Sequence, residues 1–273
     1  MPIVDITRDK FLEFAQELCS AVADMTASGD RRLKETKYPL TDRDRVLIGL
    51  ALKIESSFRS VMDDARMARG EAMHHLKTMV EAYLYLHLVI ADPSQLTAHR
   101  LMAEVCYQKS KFLSENPGYT ANKYGPWWAE ELAAFERDGI QRIGMTTLKD
   151  LVRFSPELGQ WYNAVYRAAC EPAHITDLID FMPEIEDPKI AIGIELDAEI
   201  RARFAIDHGV WVMLATIRTI CDGNTIGLRM EKLDEFESRY LEIRSGPHLR
   251  VDLPTDQSKP DHRQGEDEYG PTR

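Results

Sequence analysis

Residues Thr41–Ala65 read TDRDRVLIGLALKIESSFRSVMDDA. Thr41 stands three residues ahead of Asp44, the spacing at which hydroxyl and carboxylate can each accept a hydrogen bond from an otherwise unpaired first-turn N–H, so the sequence predicts a helix starting at Thr41. Leu47, Leu50, Ile54, Phe58, Val61, Met62 and Ala65 then recur at the intervals of one helix face, not at the period of two that a strand would show. Such a stripe must be covered by other elements, and the rest of the chain supplies stripes of the same kind.

Upstream, Phe11, Phe14, Leu18, Val22 and Met25 share the face of a first helix, which Ser28, Gly29 and Asp30 are expected to end. Downstream of Gly70, Met73, Leu76, Val80, Tyr83, Leu84 and His87 mark a third. Asp92 and Pro93, a cap followed by proline, open a fourth that carries Leu101, Met102, Val105 and Phe112 and stops at Asn116, Pro117 and Gly118. A shorter helix surrounds Trp127, Trp128, Leu132 and Phe135. Ser155 and Pro156 repeat the capping signal before Leu158, Trp161, Tyr162, Val165 and Cys170, and Pro172 ends or kinks that helix. Ile190, Ile192 and Ile194 alternate like a strand; alone, such a run reads as an extended connector unless a symmetry mate pairs with it. A long helix follows from Asp197 to Cys221, and Leu233, Phe236, Tyr240 and Leu241 mark the last. The fold class is all-α: a single-domain bundle of about seven helices over 1–244, with its core within 41–222. From 245 to 273, seven of the 29 residues are Gly or Pro and only Leu249, Val251, Leu253 and Tyr269 are apolar, which predicts a disordered tail.

The chain has 273 residues with 34 basic and 45 acidic side chains, a net charge of −11 that opposes broad adhesion to nucleic acid or anionic membrane. The one basic cluster, Arg31, Arg32, Lys34 and Lys37, is interrupted by Glu35 and reads as a solvated loop, with a phosphate-contacting patch as the alternative. The opening residues lack a secretory pattern, and Met79–Ile90, the longest apolar stretch by this reading, is too short to span a bilayer. A cytoplasmic protein without membrane contact is therefore expected. Cys19, Cys106, Cys170 and Cys221 lie far apart and read as small apolar residues rather than as zinc ligands or disulfides.

Two E-x-x-H pairs, Glu71 with His74 and Glu171 with His174, carry the spacing of di-iron bundles. Pro172 interrupts the second, and the bridging carboxylates would have to come from residues such as Glu55 and Glu104, so capping or surface roles are expected, with no metal and no cofactor. Lys77 and Glu81, four apart, form either an exposed pair or a polar hub among the apolar residues of TMVEAYLYLHLVI. The sharpest constellation is Tyr166–Arg167–Ala168–Ala169–Cys170–Glu171–Pro172–Ala173–His174. A proline break between arginine and histidine lets the two converge. Histidine moves protons in either direction near neutrality, and arginine offers a planar charged fork to phosphate oxygens, a pair suited to RNA cleavage through a phosphorane.

The stretches LKTMVEAYLYLHLVIADPSQL, AEVCYQKSKFL and WYNAVYRAACEPAHIT, between about Leu76 and Thr176, resemble a widespread bacterial family of helical domains of unknown function, whose fold is similar to the HEPN superfamily. Many HEPN proteins are RNases with an R-x(4 to 6)-H motif, often acting as dimers, and Arg167 and His174 match that motif at its longest spacing. Ala168 stands where such nucleases commonly carry Asn, Asp or His, and Pro172 lies within the spacer. The resemblance implies metal-independent RNA cleavage in a defence or toxin setting by Arg167 and His174, with Lys77, Glu81, Tyr166 and Glu171 as supporting polar groups, RNA or a nucleotide as ligand, and a homodimer. Trp127, Trp128 and Trp161 are the apolar side chains expected to face the second copy. The alternative is a non-catalytic interaction or regulatory protein.

Overall fold

At Thr41 the hydroxyl accepts the Asp44 N–H at 3.2 Å, while the Asp44 carboxylate accepts the Thr41 N–H at 2.9 Å. Helix α2 (Asp42–Arg66) starts on that reciprocal cap and buries Leu47, Ile54, Phe58, Val61, Met62 and Ala65. The computed structural model describes residues 6–37, 39–116, 125–153, 155–170, 188–223 and 229–246. Around α2 it places α1 (Ile6–Thr36), α3 (Ala72–Ala91), α4 (Leu96–Glu115), α5 (Gly125–Arg137), α6 (Leu148–Val152), α7 (Pro156–Trp161), α8 (Arg167–Cys170), α9 (Pro188–Asp222) and α10 (Leu233–Ser245). A 3-10 turn spans Ile143–Met145, and a π-helical turn, Tyr162–Tyr166, joins α7 to α8 without a break. There is no strand among the described residues, and the fold is all-α.

Helices α2 and α3 pack on each other most extensively, α9 lies against both, α1 covers α9 and α2, and α10 closes over α9 and α1. Phe14 meets Phe236 edge-on at 5.7 Å and Phe11 approaches Tyr240 at 6.0 Å, so the core draws in α1 and α10 on either side of 41–222. Tyr240 also donates its hydroxyl proton to Asp207 of α9 at 2.7 Å, and Arg218 of α9 donates to Glu237 of α10 at 3.0 and 2.6 Å. Gly209 permits the tightest part of this packing. A Cβ there would lie 3.3 Å from Val61 and 3.4 Å from Phe58, so glycine lets α9 approach α2. Helices α4 and α5 sit to one side. Ala103, Cys106 and Ile143 are buried there outside the main core, and Arg100 of α4 donates to the Gln141 carbonyl and the Thr146 hydroxyl, both at 3.0 Å.

The structure corrects several readings of the sequence. Ser28–Gly29–Asp30 do not end α1, which runs on to Thr36. One glycine costs a helix roughly 1 kcal/mol, and the Arg, Leu, Lys and Glu that follow are good helix formers, helped by Lys34 bonding Asp30 one turn back at 2.6 Å. Arg31, Arg32 and Lys34 are thus exposed on a helix rather than in a loop, with Lys37 just beyond it. The Ile190–Ile194 run is helical, the first turns of α9. A strand without a partner leaves its backbone groups unpaired, whereas a helix satisfies them within the segment, and Pro188 fits the first helical position. Among the described residues the helix long and apolar enough to be a membrane candidate is α9, not the segment Met79–Ile90. By length and composition Ala198–Asp222 could cross a membrane, and 56% of its most apolar 18-residue window is buried inside the bundle. Of the cysteines, all free, Cys19 and Cys106 are buried while Cys170 and Cys221 are half-buried. The expected tail lies outside the described residues from 247 onward.

Asp92 caps α4 from further away than its sequence position suggests. The helix begins at Leu96, and the Asp92 carboxylate accepts from the N–H groups of Ser94 (2.9 Å) and Thr97 (2.7 Å) and from both hydroxyls. Burial alone would raise its pKa, but these bonds outweigh burial and hold it down at about 2. A carboxylate depressed in the folded state stabilises fully above its ordinary pKa of 3.8 and loses that contribution as pH falls through about 2. Asp92→Ala is expected to lower stability at pH 7 by about 1 kcal/mol. Denaturant unfolding should show the difference from the parent chain shrinking as the solution is acidified below pH 4, and a difference that stayed constant would show that the carboxylate is not the cap.

Candidate functional site

The helix carrying the arginine begins at Ser155, whose hydroxyl accepts the Leu158 N–H at 3.4 Å, with Pro156 at the first helical position. Its inward side chains, Leu158, Trp161, Val165 and Ala169, are buried as the α7, π and α8 segments lie across α3. Trp161 sits between Tyr83 at 5.0 Å and Trp211 at 4.0 Å and is only 6% exposed. It is therefore a core residue, not surface for a second copy; of the three tryptophans named from the sequence, Trp127 is exposed and Trp128 half-buried. A π turn is rare and recurs at functional positions. Here it stacks Tyr162 on Tyr166 at 5.2 Å and delivers Arg167, exposed, as the first residue of α8.

Glu81 of α3 is half-buried under this turn. Burial, then the Glu81 charge, then Cys170 push the Tyr166 phenol well above its ordinary pKa. Burial, Glu81 and Glu104 push Tyr85 up to about 12. Both phenols thus keep their protons far above neutrality and can act only as neutral donors or acceptors. Lys77, one turn before Glu81, is half-buried as well, and no ion pair joins the two. The structure therefore gathers Glu81 and Tyr166 with Tyr85 and sets Arg167 beside them. Glu171 and His174 lie outside the described residues, so the expected meeting of Arg167 with His174 is not described by it.

The chain matches no protein-family model, no curated protein and no solved structure. Of the first E-x-x-H pair, Glu71 and His74 are both exposed at the start of α3. Glu55 is bonded to Arg59 at 2.8 Å, and Glu104 accepts from Gln108 at 2.7 Å and from the Gly144 N–H at 3.2 Å. Among the described residues no group of three or more His, Cys, Asp or Glu side chains could hold a metal ion.

Tyr85, Tyr162 and Glu104 belong to this environment; the sequence marks Tyr162 only as part of an apolar stripe and Glu104 only as a candidate bridging carboxylate, and does not mark Tyr85. Tyr85 follows Glu81 by one helical turn and Tyr162 precedes Tyr166 by four, which was signal enough to add them once Glu81 and Tyr166 were chosen. Glu104 carries no comparable signal. Replacing Glu81 with Gln is expected to lower the ionisation midpoints of Tyr85 and Tyr166 without returning them to the ordinary phenol value, because burial is the larger cause and remains. NMR titration of isotope-labelled tyrosine rings reads this directly, and unmoved midpoints would separate Glu81 from the phenols.

Proposed function

We propose that this chain is a HEPN-like, metal-independent endoribonuclease of the cytoplasm, acting in a defence or toxin setting, with Arg167 and His174 as its catalytic pair. The observation that carries the reading is Arg167, exposed at the hand-over from the π turn to α8 and next to a phenol that stays protonated. His174 follows Cys170, the last described residue of that helix, by four positions. In this mechanism His174 takes the proton of the RNA 2′-hydroxyl, the 2′-oxygen attacks the adjacent phosphorus, and the guanidinium fork of Arg167 stabilises the extra negative charge of the phosphorane. The bond to the 5′-oxygen then breaks and the proton is returned to that oxygen, leaving a 2′,3′-cyclic phosphate and a 5′-hydroxyl. Tyr166, protonated, donates toward the same oxygens, and Glu81, Lys77 and Glu171 are positioning groups.

The chemistry needs the 2′-hydroxyl, so single-stranded RNA is expected to be cut in the presence of EDTA while the matching 2′-deoxy strand survives intact. Absence of cleavage across a broad panel of RNAs and pH values would replace this reading by the second one, a non-catalytic interaction or regulatory protein. That reading is supported by apolar side chains standing in solvent on α4 and α5. Val105 of α4 is 49% and Trp127 of α5 44% exposed. The homodimer belongs to the proposal on the same ground, since a second copy would cover these side chains.

A further inference from the structure

A groove of about 350 Å³ lies between the second half of α1 and α2, with α9 as its floor. Met25 and Leu33 of α1, Leu52 of α2 and Ile217 of α9 are among its walls. Its polar side chains are already engaged. Thr26 donates its hydroxyl proton to the Val22 carbonyl at 2.9 Å and Thr216 to that of Val212 at 2.7 Å. Asp30 is bonded to Lys34 at 2.6 Å, and Glu55 to Arg59 at 2.8 Å. A polar ligand body placed there would give up its hydration for no replacement partner, whereas a hydrocarbon chain gains by leaving water.

Two further features narrow the occupant. Gly29, the residue type that most weakens a helix interior after proline, sits two turns before the end of α1 and lines the groove, where it contributes no side chain. The end of α1 also reverses the charge of the molecule. Arg31, Arg32, Lys34 and Lys37 are all exposed there against only Asp30 and Glu35, on a chain whose net charge is −11. The Lys34 ammonium is held at the groove edge by its bond to Asp30, a lining residue, and has two further protons to donate.

We propose that this groove binds a single-chain fatty acid, its hydrocarbon tail lying on α9 and its carboxylate meeting the basic end of α1. The inference is independent of the ribonuclease reading. It is tested on the full chain by calorimetry with octanoate, decanoate and dodecanoate, each below its critical micelle concentration. Saturable one-to-one binding is expected, tightening about fourfold for each added methylene. Dodecyltrimethylammonium, with the same chain and the opposite head, is expected to bind at least about tenfold more weakly, and Lys34→Glu to weaken dodecanoate in the same sense. Gly29→Leu fills the groove with a better helix former, so it is expected to abolish binding while the melting temperature holds or rises. Affinity that does not change with chain length, the absence of saturable binding, or a Gly29→Leu chain that binds dodecanoate normally would overturn the site. Equal affinity for the ammonium amphiphile would overturn the carboxylate.

Discussion

Arg167→Lys is expected to cut RNA at least about a hundredfold more slowly than the parent chain, although its charge is unchanged. Lysine keeps a point charge but loses the planar fork that bonds two phosphate oxygens at once, and that geometry is what a phosphorane requires. Arg167 is exposed, so the substitution should shift the melting temperature by only about 2 °C, which separates lost chemistry from lost folding. His174→Ala removes the proton carrier and should lower the rate by about 10² to 10⁴-fold, with circular dichroism unchanged. The rate of the parent chain should fall in acid as His174 becomes protonated and can no longer accept a proton. A chain that cleaves normally with Lys at 167, or whose cleavage is lost on the 2′-hydroxyl strand only after EDTA treatment, would not be using this pair.

The second large effect is on stability. Phe58 is fully buried on α2 and faces α9 where Gly209 brings the two helices together. Phe58→Ala removes a ring from a contact that cannot collapse, since both backbones are already held by their neighbours, and is expected to destabilise the chain by about 3–5 kcal/mol. In a thermal melt that is a loss of about 10 °C or more. Leu52→Ala, on the same helix but half exposed, provides the comparison and should change stability by only about 0.5 kcal/mol. Equal effects from the two would mean that α2 and α9 do not meet through Phe58.

What could be read from the sequence was what neighbouring residues decide. The Thr41–Asp44 cap and the Ser155–Pro156 start each involve partners within four positions, and both formed as expected. Ser28–Gly29–Asp30 mislead because local punctuation says nothing of the six helix-compatible residues behind it, and Ile190–Ile194 because alternation says nothing of what would pair with it. The site was legible only in fragments. Glu81 and Tyr166 each stand out in the sequence, yet they are 85 positions apart, and their encounter depends on how α7 and α8 lie across α3. No spacing rule encodes that angle. Glu104 comes from a third helix, α4, and reaches Tyr85 for the same reason.

The π turn has a consequence for the numbering of this surface. A π turn amounts to one residue more than an α-helix would use over the same rise, so it resets the phase of every side chain after it. Removing one residue between Tyr162 and Tyr166 would rotate α8 by about 100° about its axis. Arg167 would then swing away from solvent, Ala169 would leave the core, and the R-x6-H motif would remain in the text of the sequence while its arginine pointed elsewhere. Spacing counted along the chain is thus an incomplete description of this motif: the surplus residue upstream fixes the bearing of its arginine.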